Sequence, residues 1–140
     1  MDYFFFYGTL LDSEVFSIVL ERRPSELFEQ NLEIKGFSCF KVLKEQFPVL
    51  LPDPNGNVSG KVYRIPDNLK KRLFFFEDVG VDFVVEELEA KIRGKSVLYF
   101  SPTGKLELGE GLWTFDEFNK SRGDYLNMCI DLMKKGDFSV

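Results

Sequence analysis

The sequence predicts one α+β domain, spanning residues 1–140, whose small, mixed and mostly antiparallel sheet is flanked by helices and curls toward a barrel. Three observations predict it. Apolar runs of strand length recur along the chain, several of them joined by hairpin-type turns. Three other segments repeat their apolar residues at helical spacing. The two patterns do not alternate in the β-α-β order of a nucleotide-binding fold. A chain of 140 residues fills one compact domain and would be cramped for two. Sixteen Phe and a 44% hydrophobic content supply a core, and 29% charged residues set the chain apart from a disordered tail.

Asp2–Tyr7 is an aromatic run that reads as a buried strand, ended by Gly8. Asp12 or Ser13 can cap a helix in which Val15, Phe16, Val19 and Leu20 recur at helical spacing, until Pro24 breaks the pattern. Leu32 to Leu43 suggests one or two strands joined near Gly36. Phe47–Leu51 and Val58–Ile65 flank Pro52-Asp53-Pro54-Asn55-Gly56-Asn57. Prolines that preset φ, and an Asn-Gly pair suited to positive φ, predict a tight hairpin there with Val58–Ile65 as the return strand. Pro66-Asp67 opens a helix with Leu69, Leu73 and Phe76 on one face, and Gly80 ends it. Phe83–Ile92 and Ser96–Ser101 form a strand pair across Arg93-Gly94-Lys95, and Ser101-Pro102-Thr103-Gly104 is a further turn. Thr114, with Glu117 three positions on, is a capping box for a C-terminal helix that runs to about Lys135 and is interrupted at Gly123.

Composition removes whole classes of chemistry. There is no histidine, which eliminates Ser-His and Cys-His nucleophiles and every His-containing metal site. Cys39 and Cys129 are ninety positions apart, form no C-x-x-C and read as buried thiols, so no metal or redox centre is expected. A net charge of −5 lacks the basic surface a polyanion requires, and Lys70-Lys71-Arg72 reads as a solvated helix face. No apolar run approaches the roughly 18–20 residues of a membrane span. The opening run is too short for a signal peptide, so the expectation is a cytoplasmic protein without nucleic-acid or membrane partners.

Proton transfer must then fall to a carboxylate, Lys, Tyr or thiol, and two places invite it. At Tyr7-Gly8-Thr9-Leu10, Gly8 lets the backbone approach a ligand, consecutive N–H groups can form an anion-binding concavity, and Thr9 adds a hydroxyl. An ordinary strand-to-helix turn is the other reading. Glu77 is the second place. With Leu69 at zero on a helical wheel, Leu73 falls at about 40°, Phe76 at about −20° and Glu77 at about 80°, bordering the apolar stripe. Desolvation beside Phe74–Phe76 and the negative end of the helix dipole should both raise its pKa toward that of a proton shuttle. A rim glutamate paired with a Lys is the alternative. Glu86 shares an alternating face with Val84, Leu88 and Ile92 and is kept as a rival acid. The runs Phe4–Phe6 and Phe74–Phe76 are assigned to core packing, as are Tyr99 and Trp113, although those two could line a pocket.

Taken together the segments resemble the γ-glutamylcyclotransferase-like family, which includes the AIG2-like proteins. The opening strand ends in Tyr7-Gly8-Thr9-Leu10. Phe47-Pro48-Val49-Leu50 then precedes Val58-x-Gly60-x-Val62-Tyr63, and the middle helix closes with Phe76-Glu77-Asp78-Val79 where the family carries its essential glutamate. Val97-Leu98-Tyr99 and a terminal helix entered through Trp113 complete a likeness spanning nearly the whole chain. The resemblance implies a small mixed barrel with a pocket at one end. Backbone groups of Tyr7, Gly8, Thr9 and Leu10 would hold the α-carboxylate side of a γ-glutamyl substrate. Glu77 would move a proton as the substrate's α-amine attacks its own γ-carbonyl, releasing 5-oxoproline and an amine, with no metal or organic cofactor. Phe83 and Val85 stand where many members carry Tyr and Arg, so that phenol and guanidinium are missing. Three readings follow: a cyclotransferase, a non-catalytic ligand-binding or interaction domain that keeps the pocket, and amide hydrolysis by a Glu77-activated water.

Overall fold

A computed structural model describes residues 1–139. Six strands form one mixed sheet: β1 (Asp2–Phe6), β2 (Phe28–Val42), β3 (Pro48–Ile65), β4 (Phe83–Ile92), β5 (Lys95–Pro102) and β6 (Leu108–Leu112), in the order β4-β5-β1-β3-β2-β6. Only the β1–β5 pair is parallel; the rest are antiparallel, as expected. Among the described residues β4 and β6 remain edges, so the sheet does not close into the expected barrel. It is curled all the same. Tyr3, Phe5, Leu50, Val62, Leu88 and Val97, from four different strands, share one core cluster on one face.

The other face is covered by helices α1 (Ser13–Leu20), α3 (Lys70–Phe76) and α5 (Arg122–Lys134), with short α2 (Pro24–Leu27) and α4 (Phe115–Asn119) at the periphery. Phe4 and Phe6 point to this side while Tyr3, Phe5 and Tyr7 point to the first. A central strand buried on both faces needs no polar alternation, which explains the unbroken aromatic opening. Burying such side chains is worth about 1.5–3 kcal/mol each.

Asp12 caps α1 by accepting from the N–H groups of Glu14 and Val15, and Val15, Phe16, Val19 and Leu20 are all buried. Its carboxyl also receives two N–H bonds from Arg122 at the start of α5. Burial alone would push this carboxyl up, but the guanidinium and the two backbone donors more than offset it and hold it low. Asp12→Ala is expected to cost about 1–2 kcal/mol in urea unfolding, since it removes the cap of α1 and leaves Arg122 paired with Glu14 alone. A change below about 0.5 kcal/mol would show that this link between α1 and α5 is not structural.

The hairpin expected at Pro52–Asn57 is not formed. Residues 48–65 make one continuous strand, and both halves pair with β2: Leu51 opposite Ser38, and Val58 opposite Ile34. Between Pro52 and Asn57 the register shifts, so that Asp53–Gly56 lie opposite Gly36 alone. Two prolines without N–H groups interrupt the ladder, and the turn-forming residues bulge outward instead of reversing the chain. The β2–β3 reversal lies at residues 43–47, where Lys44 adopts φ 65°. Gly36, at φ 85°, marks the bulge within the single strand β2.

The 83–102 hairpin forms as expected, with Arg93 and Gly94 both at positive φ. Strand β6 carries no strand signature in the sequence. Thr114 caps α4 as expected, but the break before α5 falls at Lys120–Ser121 rather than at Gly123.

Candidate functional site

The chain leaves β1 through Tyr7 and Gly8 and enters a short turn of helix at Thr9–Leu11. The N–H groups of Leu11 and Asp12 return to the carbonyls of Gly8 and Thr9. Those of Gly8, Thr9 and Leu10 make no hydrogen bond to another protein group among the described residues. Three successive donors are therefore available at one bend. Gly8 is required for a reason the sequence did not reveal: a Cβ here would lie 2.9 Å from Cδ of Pro48.

Glu77 follows the last residue of α3, its N–H bonded to the carbonyl of Leu73. Asp78 at φ 51° and Gly80 at φ 96° then swing the chain toward β4, conformations that Asp and Gly tolerate best. Tyr7, Gly8, Thr9, Leu10 and Glu77 all line one cavity of about 600 Å³. The structure thus brings these five residues selected from the sequence to the same place.

Glu77 is half-buried among the residues that line this cavity, and desolvation pushes its pKa up from 4.5 to about 8. The alternative, a pairing with Lys, does not occur among the described residues. The basic side chains of its own helix are engaged elsewhere: Lys70 with Asp2 and Asp67, Lys71 with the carbonyl of Ser139, and Arg72 with Glu21. With no cation beside it, burial acts unopposed. Glu86 is exposed on the bulged edge strand β4, away from the cavity, and is excluded as a rival.

Tyr7 is committed to its surroundings, since its hydroxyl donates to the carbonyl of Phe100 at 2.7 Å. Burial first, then the charge of Glu77, holds that phenol protonated well above its ordinary range. Sequence reasoning missed Tyr125. This α5 residue is 5% exposed, lines the cavity, and places its hydroxyl 3.0 Å from Oγ1 of Thr9. Burial keeps it protonated too. Its partner is 116 positions away, so no local pattern could have found it. Asp78, Asp82 and Glu45 also reach the cavity unannounced.

Phe83 lines the cavity and Val85 does not. Phe74, Phe75 and Phe76 pack against the core as expected and also face the cavity. Tyr99 belongs to the opposite core, and Trp113 donates its indole N–H to the carbonyl of Gln46, away from this site. Both cysteines are free and buried, each thiol pushed up to about 12 chiefly by desolvation, so neither supplies a thiolate. Among the described residues no helix is long and apolar enough to cross a membrane.

A curled mixed sheet with a glycine bend and a desolvated, unpaired glutamate lining one cavity defines a recognisable class. Residues 4–115 match the family described as gamma-glutamyl cyclotransferase, AIG2-like, and the chain belongs to that family. It is 30% identical over 122 residues to AIG2-like protein C of Arabidopsis thaliana, covering 83% of this chain and 68% of that protein. Among solved structures, one titled gamma-glutamyl cyclotransferase superposes with a TM-score of 0.66 at 17% identity, over 96% of this chain and 99% of the other. An uncharacterized human protein gives 0.65 at 18% identity, over 97% and 88%. At such identities these two matches establish the fold, and the resemblance drawn from the sequence is shown at the level of the family.

Proposed function

We propose that the protein cyclises a γ-glutamyl amine or peptide to 5-oxoproline and releases the amine, with Glu77 as general acid and base. One observation carries this reading: a carboxyl that lines the same cavity as the bend, that of Glu77, is pushed up to about 8. A peptide α-amino group titrates at about 8, and one beside its own free α-carboxylate somewhat higher. Proton transfer from the substrate's α-ammonium to Glu77 is then only modestly uphill, within the reach of general base catalysis.

The free N–H groups of Gly8, Thr9 and Leu10, with the Thr9–Tyr125 hydroxyl pair, would hold the α-carboxylate. The neutral α-amine attacks the γ-carbonyl carbon, forming the lactam C–N bond as the bond to the departing nitrogen breaks. Two of the three α-ammonium protons end on that nitrogen, which leaves as an ammonium ion. Glu77 carries them one at a time and finishes in the state in which it began. Nucleophile and electrophile belong to one molecule, so the protein need only hold the folded conformer and manage protons. A cytoplasmic setting fits the two unpaired thiols.

Phe83 supports a second reading, a binding domain that keeps the cavity without turnover, because it replaces a hydroxyl with a hydrocarbon on the wall. Incubating the protein with a set of γ-glutamyl compounds and assaying 5-oxoproline separates the two. Release is expected from at least one compound. Saturable binding without product would favour the binding domain, and free glutamate in place of 5-oxoproline would make the protein a hydrolase.

A further inference from the structure

Polar side chains are distributed unevenly around this cavity. Hydroxyl donors are confined to the bend and to Tyr125, which touches it, and the run of three successive free N–H groups lies at the bend. The ionisable acids Glu45, Glu77, Asp78 and Asp82 occupy the rest, and no Lys or Arg is among the described residues that line the walls. They come from two separate segments, the β2–β3 loop and the turn between α3 and β4. Asp82 alone has a basic neighbour, the exposed Lys105 at 3.9 Å. Burial and the adjoining Asp78 carboxyl raise the pKa of Asp82, and Lys105 offsets them only in part. Between the acids the wall is aromatic, with Phe47, Phe74, Phe75, Phe76, Phe83 and Phe100.

We propose that this cavity selects γ-glutamyl conjugates whose departing portion is a cation, an amine carrying a second protonated amino group and no carboxylate. The inference rests on the cyclotransferase reading for the γ-glutamyl half of the ligand. That half brings one anion, its α-carboxylate, and the wall has one place for an anion, the bend. A second carboxylate on the departing portion, as in a γ-glutamyl amino acid, would be desolvated facing acids with no donor to receive it. A neutral alkyl chain finds only the apolar wall. A distal ammonium meets carboxylates and the negative faces of aromatic rings together. The net charge of −5 favours approach of the same ligands.

Three conjugates of similar length test this: γ-glutamyl putrescine, γ-glutamyl butylamine and γ-glutamyl γ-aminobutyrate, ending in a cation, a methyl group and an anion. The putrescine conjugate is expected to exceed the butylamine conjugate about tenfold in kcat/KM, and the anionic one about a hundredfold, with both gaps narrowing as salt is raised. The double variant Asp78→Asn, Asp82→Asn should collapse the cation-to-neutral ratio toward one. A ratio is unaffected by partial misfolding, which lowers both rates alike. If the anionic conjugate releases 5-oxoproline as fast as the cationic one, the charge preference is overturned and the cyclotransferase reading stands. Release from none of the three overturns both.

Discussion

Glu77→Gln is expected to lower 5-oxoproline release by about 10²–10⁴-fold, the range that loss of a positioned proton carrier produces. The change is nearly isosteric and places no new charge in the cavity, so circular dichroism should be unaltered. The pH profile identifies the group responsible. With its carboxyl pushed up to about 8 by burial, Glu77 gains its ionised, proton-accepting form only as pH rises toward that value. Wild-type kcat/KM at low substrate should therefore climb about tenfold per unit between pH 6 and pH 7.5 and then flatten, and the residual rate of the variant should lack this limb. Stability follows the same group with a definite sign. In the unfolded chain Glu77 ionises at about its ordinary 4.5, whereas in the folded protein it waits until about 8. Its contribution is fully present below pH 4.5 and is lost as pH rises to about 8. The Gln variant should accordingly melt higher than wild type at pH 8 and show its smallest advantage at pH 4. Equal turnover by the two proteins would remove Glu77 from the mechanism.

That carboxylate was legible in the sequence because its signal is local. A glutamate at the edge of an apolar helical stripe, next to three Phe, must be desolvated wherever the helix packs. The bend after β1 was legible for a similar reason, since a Gly ending an aromatic run has few other uses. What the sequence could not supply were partners joined only by the fold. Tyr125 meets Thr9, and Arg122 meets Asp12, because α5 crosses the end of α1, and nothing in either segment encodes that crossing. The missed β6 is the complementary case. Its residues Leu108–Leu112 contain two Gly and two exposed Leu, and only pairing with β2 makes them a strand. The expected hairpin at Asn55-Gly56 failed by the same rule in reverse. Local turn chemistry was present, but pairing of both flanks with β2 kept the chain running in one direction.

Gly56→Ala is expected to be among the most damaging single substitutions outside the cavity, for a reason a hairpin turn would not provide. A Cβ at this position would lie 2.1 Å from the carbonyl oxygen of Phe37 and 2.4 Å from Oγ of Ser38. The first of these is backbone, so no rotamer change relieves it, and the bulge must open. Opening it also disturbs the bond from Ser38 Oγ to Asp53, which ties the bulged segment to β2. A cost of about 3–4 kcal/mol is expected, a drop in melting temperature of about 10 °C for a chain of this size. Gly36 provides the control because it faces the same bulge from the opposite strand. It sits at φ 85°, and a methyl group there would meet nothing within 4 Å, so Gly36→Ala adds left-handed strain alone. That substitution should cost only about 1–2 kcal/mol. If Gly56→Ala proved as mild as Gly36→Ala, the segment would be reversing as an exposed hairpin after all, and residues 48–51 could not be held in the register that sets Pro48 against Gly8. The same prediction ties the bend, on the far side of β3, to a glycine that does not line the cavity.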